Sequence, residues 1–211
     1  MMMVIILIVK RKTPHMRISA RKSEEHRKEI IASAEKLFRA KGFAAVSVAE
    51  FMRAAGLTHG GFYNHFASKS ELEVEAIRHA CAQAVARVEK LAHAAAGQRH
   101  SAVADYIESY LSPRARDAAT PRCASLAYGG EAPRAGKDAC AALAEGLDAY
   151  VETLTTALDA VPMSDGATRT RAIQTFAAMV GGLYLARAVA SANKAFSDEI
   201  LAAVRQGLPR D

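Results

Sequence analysis

Hydrogen-bonding side chains are concentrated in residues 58–69, which have the sequence THGGFYNHFASK. The phenol of Tyr63, the imidazole of His65 and the ammonium group of Lys69 can each donate a hydrogen bond to a phosphate oxygen. Donors of these kinds, placed close together along the chain, suit the binding of a phosphate backbone. Whether these side chains can reach one phosphate backbone depends on the helices that position them.

Local signals predict two short helices around this segment and a longer helix after it. Residues 47–50 (SVAE) and 68–71 (SKSE) are capping boxes, so a helix should start just after each leading serine. Gly56 marks the turn that ends the first short helix. Thr58 is a plausible cap for the second short helix.

The second short helix is predicted to be an exposed recognition helix that the first short helix supports. Leu57, Phe62 and Phe66 are its apolar anchors, and its other side chains should face outward. The outward set comprises His59, Gly60, Tyr63, Asn64 and His65. Two short helices joined by a glycine turn form a helix-turn-helix, whose second helix enters the major groove of DNA.

The charge of the chain is unevenly distributed. The sequence has 28 basic and 22 acidic side chains, a formal net charge of +6. Residues 1–69 hold thirteen Lys and Arg against five Asp and Glu, a net +8, and residues 70–211 hold fifteen against seventeen, a net −2. Because phosphate neutralisation drives nucleic-acid affinity, this asymmetry supports DNA binding by the first third. The alternative, a merely solubilising basic tail, is weakened by the adjacent helix-turn-helix.

From about Arg27 to Leu72 the sequence resembles the DNA-binding domain of the tetracycline-repressor (TetR) family of bacterial transcriptional regulators. A glycine turn followed by F-Y-x-H-F-x-x-K is close to a signature of that family. The matching segments are IIASAEKLF at 30–38, KGF at 41–43, VSV at 46–48, AAGL at 54–57, and FYNHF at 62–66 with Lys69.

The resemblance implies a set of DNA contacts. His59 and Gly60 occupy positions that face bases in the family, where an imidazole can bond to purine acceptors and a glycine permits close backbone approach. Tyr63, His65 and Lys69 occupy positions that contact phosphates in the family. Ser47 and Thr58 are predicted both to cap helices and to contact phosphates. The predicted DNA-binding residues are Ser47, Thr58, His59, Gly60, Tyr63, His65 and Lys69.

The remaining pattern predicts an all-α chain of about nine helices, as the resemblance also implies. Alternating β-branched runs are nearly absent after residue 9, so no sheet is expected. Ser197 should cap the last helix. Besides the two short helices, the predicted helices lie at about 23–41, 69–95, 100–111, 137–160, 167–193 and 197–207. The expected units are a basic, disordered leader at 1–22, a helix-turn-helix domain at 23–68, and an effector-binding and dimerisation domain at 69–211.

The resemblance implies that the last two helices form a four-helix bundle between two copies of the chain. Small side chains there permit close helix approach, and larger apolar ones supply buried area. The small residues are Ala177, Ala178, Gly181, Gly182 and Ala186. The larger residues are Phe176, Val180, Leu183, Leu201 and Val204.

The second half is also expected to bind a small-molecule effector. Tyrosines among apolar side chains can supply both a wall and a hydrogen bond, although each is individually a normal core residue. Cys123 follows Arg122, which would favour the thiolate if close in space; a lone cysteine is more often a packed apolar residue. Residues 110–131 partly resemble a TetR subgroup that includes electrophile and redox sensors. The candidate effector residues are Tyr106, Tyr110, Cys123, Leu126, Tyr150, Phe176, Met179 and Tyr184.

The start of the chain carries an apolar run, MMMVIILIV at 1–9, that is too short to span a bilayer. The basic residues that follow it either form an arm that reaches into a minor groove or only solubilise the chain. These residues are Arg11, Lys12, Arg17, Arg21 and Lys22. Met16 is an alternative translation start.

No catalytic residue, metal site or cofactor is expected. The three cysteines are widely spaced and form neither a disulfide framework nor a zinc pattern, which fits a reducing cytoplasm. The histidines are not clustered, and no nucleophile motif or nucleotide-binding loop occurs.

The expected function is therefore a cytoplasmic, homodimeric, ligand-responsive regulator, most simply a repressor that binds a palindromic operator in double-stranded DNA. Two alternatives stay open. One is a structural DNA-binding protein without a ligand, and the other is a small helical enzyme that uses Cys123.

Overall fold

The computed structural model describes residues 14–95, 102–159 and 168–208, and within them every regular element is a helix. The predicted all-α class is confirmed. A 3₁₀ helix, His59–Asn64, lies between α2 and α3. The α-helices are α1 (Pro14–Lys41), α2 (Val48–Ala54), α3 (Lys69–Ala95), α4 (Ala102–Tyr110), α5 (Pro113–Asp117), α6 (Ala124–Tyr128), α7 (Ala132–Ala135), α8 (Lys137–Asp159), α9 (Thr168–Val189) and α10 (Lys194–Gln206).

Helix α1 starts at Pro14, well before the predicted start near residue 23. A proline is favourable at a first helical position because its missing N–H needs no partner there. Two i,i+4 ion pairs support the next turns, Arg21–Glu25 at 3.3 Å and Glu24–Lys28 at 3.7 Å. The prediction of a disordered leader is therefore wrong for residues 14–22; residues 1–13 lie outside the described part of the chain.

Helix α10 also starts earlier than predicted. Asn193 is its cap, because the side-chain oxygen accepts a 3.0 Å hydrogen bond from the N–H of Phe196. Ser197 is buried inside the helix, and its hydroxyl donates to the carbonyl of Ala186 at 2.8 Å. The predicted capping role of Ser197 is wrong, because the hydroxyl bonds to α9 instead of to its own helix.

The helices enclose two apolar cores. The first core joins α1, α2 and the 3₁₀ helix to α3, α6, α7 and the start of α8, and Phe38, Phe51, Phe62 and Tyr128 are its largest side chains. The second core joins the remaining parts of α3 and α8 to α4, α9 and α10. Helices α3 and α8 run through both cores. The first core therefore crosses the predicted boundary at residue 68, although α3 does start there.

Helix α9 has one buried face and one exposed face. Residues Arg169–Val189 are long and apolar enough to cross a membrane by length and composition alone, a test that the core helix of a soluble protein also passes. Ala172, Met179 and Leu183 are buried against the second core. Tyr184 and Leu185 are 61% and 53% exposed. Contiguous exposed apolar side chains are often found where a protein contacts a partner.

Candidate nucleic-acid interface

The first helix of the helix-turn-helix begins as predicted. Ser47 adopts an extended conformation before α2, and its hydroxyl accepts a 3.3 Å hydrogen bond from the N–H of Glu50. Only half of the predicted capping box forms, because the Glu50 carboxylate accepts a 2.5 Å bond from Lys41. That bond lowers the pKa of Glu50. Ser47 is exposed, so its hydroxyl lies at the surface at the amino end of α2.

The predicted turn after α2 is present at Gly56. Its φ of +72° lies in the left-handed region, where a glycine carries no steric cost. The N–H of Leu57 then bonds to the carbonyl of Met52 at 2.9 Å and ends the helix. The next helix is a 3₁₀ helix rather than an α-helix. Thr58 occupies its cap position but makes no side-chain capping bond, so only the positional part of that prediction holds.

Aromatic packing fixes the orientation of the 3₁₀ helix. Phe62 is fully buried, and its ring lies 5.5 Å from the ring of Phe51 and 5.5 Å from that of Phe66. The other side chains of the turn are therefore directed away from the core. Tyr63 is 66% exposed, and His59 and Gly60 are also exposed. A phenol and an imidazole are thus exposed to solvent on the same short helix.

His65 is less exposed than predicted. It is half-buried, its ring lies 6.1 Å from that of His26, and its carbonyl accepts a 2.7 Å bond from Arg27. Burial lowers the pKa of His65, and the nearby His26 and Arg27 lower it further. The imidazole is therefore neutral near pH 7 and offers a phosphate one N–H donor rather than a positive charge.

Lys69 lies within the protein's own hydrogen-bond network. Its ammonium donates to the carbonyl of Phe43 at 2.6 Å and lies 3.6 Å from the carboxylate of Glu73. Glu73 is buried; burial raises the pKa of its carboxyl, and Lys69 opposes that shift. Lys69 thus ties the start of α3 to the turn before α2. Its predicted phosphate contact stays a prediction, because the ammonium retains further donor capacity.

Replacing Lys69 by Ala separates its two roles. Loss of a phosphate contact should reduce the slope of log affinity against log salt by about one for any DNA sequence. Loss of the ion pair should lower the free energy of unfolding, more at pH 7 than at pH 4, because an unpaired buried Glu73 is penalised only when ionised. Salt-dependent binding and urea unfolding measure these effects, with the exposed Lys137→Ala as control. An unchanged slope with lowered stability would assign Lys69 a purely structural role.

Sequence reasoning missed a contact between the middle of the chain and the helix-turn-helix. The Glu131 carboxylate accepts a 2.8 Å bond from the N–H of Phe43, and the Tyr128 ring stacks on the Phe43 ring at 5.3 Å. The Tyr128 hydroxyl donates to the carbonyl of Glu35 at 3.2 Å. Gly42 has φ +79°, and a Cβ there would lie 2.9 Å from Glu131 Oε2. We call these contacts of Tyr128 and Glu131 with the α1–α2 turn the α6–α7 clamp.

Most of the predicted effector residues meet in the second core. Tyr150 and Met179 are buried, and Tyr106, Tyr110, Leu126 and Phe176 pack against the same cluster. Cys123 is buried at the start of α6, next to this cluster. Tyr184 does not join them, because it lies on the opposite, exposed face of α9. A 3.6-residue period cannot show which face of a uniformly apolar helix is buried.

A separate cleft of about 460 Å³ lies between α9 and the two residues that follow α10. It contains none of the predicted effector residues. Its lining residues are Arg171, Gln174, Thr175, Ala178, Gly207 and Leu208.

Comparisons with known proteins agree with this architecture. The family model for bacterial regulatory proteins of the TetR family matches residues 30–76. No curated protein sequence matches the chain significantly. Among solved structures, reduced NemR from Escherichia coli is 19% identical, covers 89% of this chain and 100% of its own, and superposes with a TM-score of 0.71.

Two further structures have the same fold. A TetR transcriptional regulator from Chloroflexus aurantiacus is 24% identical, with a TM-score of 0.67 over 90% of this chain and 98% of its own. FadR from Bacillus subtilis, solved in complex with stearoyl-CoA, is 16% identical. Its TM-score is 0.61, over 86% of this chain and 99% of its own. Residues 30–76 thus match the family model of the TetR regulatory proteins, and the chain as a whole has the fold of these regulators.

Proposed function

We propose that the protein is a dimeric transcriptional repressor that binds a palindromic operator and leaves it when a small molecule binds the second core. The exposed surface of the 3₁₀ helix carries the proposal: Tyr63 and His59 protrude while Phe62 and Phe66 anchor the same turn in the first core. A regulator of this kind acts where the DNA is, in the cytoplasm. The proposed units are the helix-turn-helix at 23–68 and the effector-binding and dimerisation part at 69–211.

Phosphate and base contacts are divided along the helix-turn-helix. Ser47 and Thr58 stand at the amino ends of the two short helices, where hydroxyls and backbone N–H groups favour an anion. Tyr63 supplies a neutral donor to a phosphate, and His59 and Gly60 face the base edges. His65 and Lys69 complete the set from partly buried positions. The excess positive charge of residues 1–69 supplies the long-range attraction.

The exposed face of α9 supports dimerisation. Ile173, Tyr184 and Leu185 are between 47% and 61% exposed, and Phe196 on α10 is 48% exposed. A Cβ at Gly181, which lies between them along the helix, would meet no atom within 4 Å. Two copies packed through α9 and α10 would cover this stripe and bury on the order of 2,000 Å² in total. The two recognition surfaces would then read two half-sites related by two-fold symmetry.

The α6–α7 clamp offers a route from effector to DNA. Cys123 precedes α6 beside the tyrosines of the second core, and Tyr128 at the other end of α6 stacks on Phe43 of the α1–α2 turn. A ligand that displaces α6 would therefore disturb the turn that positions α2. Because operator and effector would favour different arrangements, each would weaken the binding of the other. The stearoyl-CoA complex of FadR is an example of ligand binding by this fold.

Removal of one hydroxyl tests the DNA-binding surface. Tyr63→Phe should weaken binding about ten-fold both to a duplex selected from a random library and to unrelated DNA, because a hydrogen bond to a charged phosphate is lost. His59→Ala should instead change the preferred base at one position of each half-site. Thr156→Val, which removes an exposed hydroxyl of α8, is the control. Equal affinities for wild type and Tyr63→Phe would remove Tyr63 from the interface.

A further inference from the structure

The Tyr110 hydroxyl is buried without a partner. Among the described residues it is the one side-chain oxygen or nitrogen that is fully enclosed and makes no hydrogen bond. A hydroxyl in this position is costly, since in water it would make hydrogen bonds on all sides. A buried hydroxyl without a partner can donate a hydrogen bond to a ligand that reaches it.

The neighbouring tyrosines make no hydrogen bond to the Tyr110 hydroxyl. The Tyr150 hydroxyl donates to that of Tyr106 at 2.6 Å, so these two are paired with each other. The Tyr106 ring lies 5.9 Å from the Tyr110 ring, and Phe176 packs 4.4 Å from the Tyr150 ring. The Tyr110 hydroxyl interacts with the thiol of Cys123, but a thiol is only a weak hydrogen-bond partner, so the hydroxyl has no strong acceptor. Tyr110 thus carries an unused donor within a cluster of aromatic side chains from three helices, α4, α8 and α9.

The chemistry of the cluster is that of neutral donors. Burial raises the pKa of Tyr106 to about 12 and those of Tyr110 and Tyr150 well above their usual value, so all three phenols keep their protons near pH 7. Arg87 is the charged group that acts on Tyr106 and Tyr110, and its guanidinium donates to the carbonyl of Arg122 at 3.1 Å. A neutral acceptor suits this environment, and a cation does not.

We propose that the cluster of Tyr106, Tyr110, Tyr150 and Phe176 binds an aromatic molecule that carries a carbonyl oxygen, and that the Tyr110 hydroxyl donates to this oxygen. The aromatic part packs among the rings, with the geometry that aromatic pairs prefer. Leu126 of α6 packs against the same cluster, so entry of the ligand displaces α6 and with it the clamp. The regulatory meaning of the site rests on the proposed repressor function; the binding itself does not.

Two probes of nearly equal shape test the site. 2-Acetylnaphthalene has a ketone where 2-ethylnaphthalene has a methylene group, so their affinities differ by the value of the hydrogen bond. Calorimetry or ligand fluorescence with the full chain, free of DNA, should show that the ketone binds about ten-fold more tightly. In Tyr110→Phe this preference should vanish, because the ketone loses about ten-fold and the hydrocarbon loses nothing. Thr156→Val, which removes an exposed hydroxyl of α8, should keep the wild-type preference.

Tyr110→Phe should fold at least as well as wild type, since the hydroxyl has no partner to lose. Equal binding of the two probes by wild type, an unchanged preference in Tyr110→Phe, or binding of neither probe up to its solubility would each overturn the proposal. Operator release is measured separately. A ketone that binds through Tyr110 without releasing DNA would leave the site standing and contradict the proposed effector response.

Discussion

Leu185→Asp is expected to convert the proposed dimer into monomers and to abolish detectable operator binding. Leu185 is 53% exposed on the outward face of α9, so a carboxylate there costs little in the separate subunit. In the proposed four-helix bundle the same carboxylate is buried without a partner, and two-fold symmetry introduces it twice. Several kcal/mol per dimer correspond to a loss of about a thousand-fold or more in the dimer dissociation constant.

Sedimentation at micromolar concentration and operator binding measure this loss, with unchanged helical content as the check on folding. Ala86→Asp is the control, because it places the same charge at an exposed position of α3. A Leu185→Asp protein that stays dimeric would move the interface away from this face of α9. Wild type that sediments as a monomer would refute the assembly itself.

The inward residues of α9 are unsuitable for that experiment. Leu183 is 4% exposed inside the second core, and a Cβ on Gly182 would lie 2.9 Å from Cγ2 of Val204 in the same subunit. The sequence predicts both residues in the interface between copies. In the structure Leu183 lies in the core of one subunit and Gly182 packs α9 against α10, so substitutions there would test folding instead of assembly.

Gly146→Ala is expected to destabilise the protein by about 2 kcal/mol or more. In the interior of a helix this substitution normally stabilises by about 1 kcal/mol, because alanine has the higher helix propensity. Here the added Cβ would lie 2.4 Å from Cβ and 2.5 Å from Sγ of Cys81. Overpacking in a core costs about 1–3 kcal/mol when side chains can shift, and more where the obstacle lies next to backbone. The clash between α3 and α8 therefore outweighs the propensity.

Urea unfolding at one fixed protein concentration measures the change, since the stability of a dimer depends on concentration. Cys81→Gly in the same chain should recover stability beyond the sum of the two single substitutions, because it removes the atoms that clash. Cys81→Ala should recover less, since it removes Sγ and keeps Cβ. If the free-energy changes of the two single substitutions simply add in the double variant, the predicted clash between positions 81 and 146 is contradicted.

Short-range signals determined the helix-turn-helix. Three of these signals are the serine cap of α2, the left-handed Gly56 and the spacing of Phe62 and Phe66. Each acts within a few residues, so it can be recognised in the sequence without knowledge of the fold. The same holds for the all-α class, because helical periodicity recurs along the chain. The family resemblance rested on this segment, and the family model matches it.

Only the tertiary structure decided which partner each polar or small side chain meets. Lys69 bonds to Phe43 and lies near Glu73, Ser197 bonds across to α9, and Glu131 reaches the N–H of Phe43 over 88 residues. Nothing local distinguishes these side chains from solvated ones. The outward direction of Tyr184 and the close approach at Gly146 likewise depend on how long helices pack, which side-chain period alone does not specify.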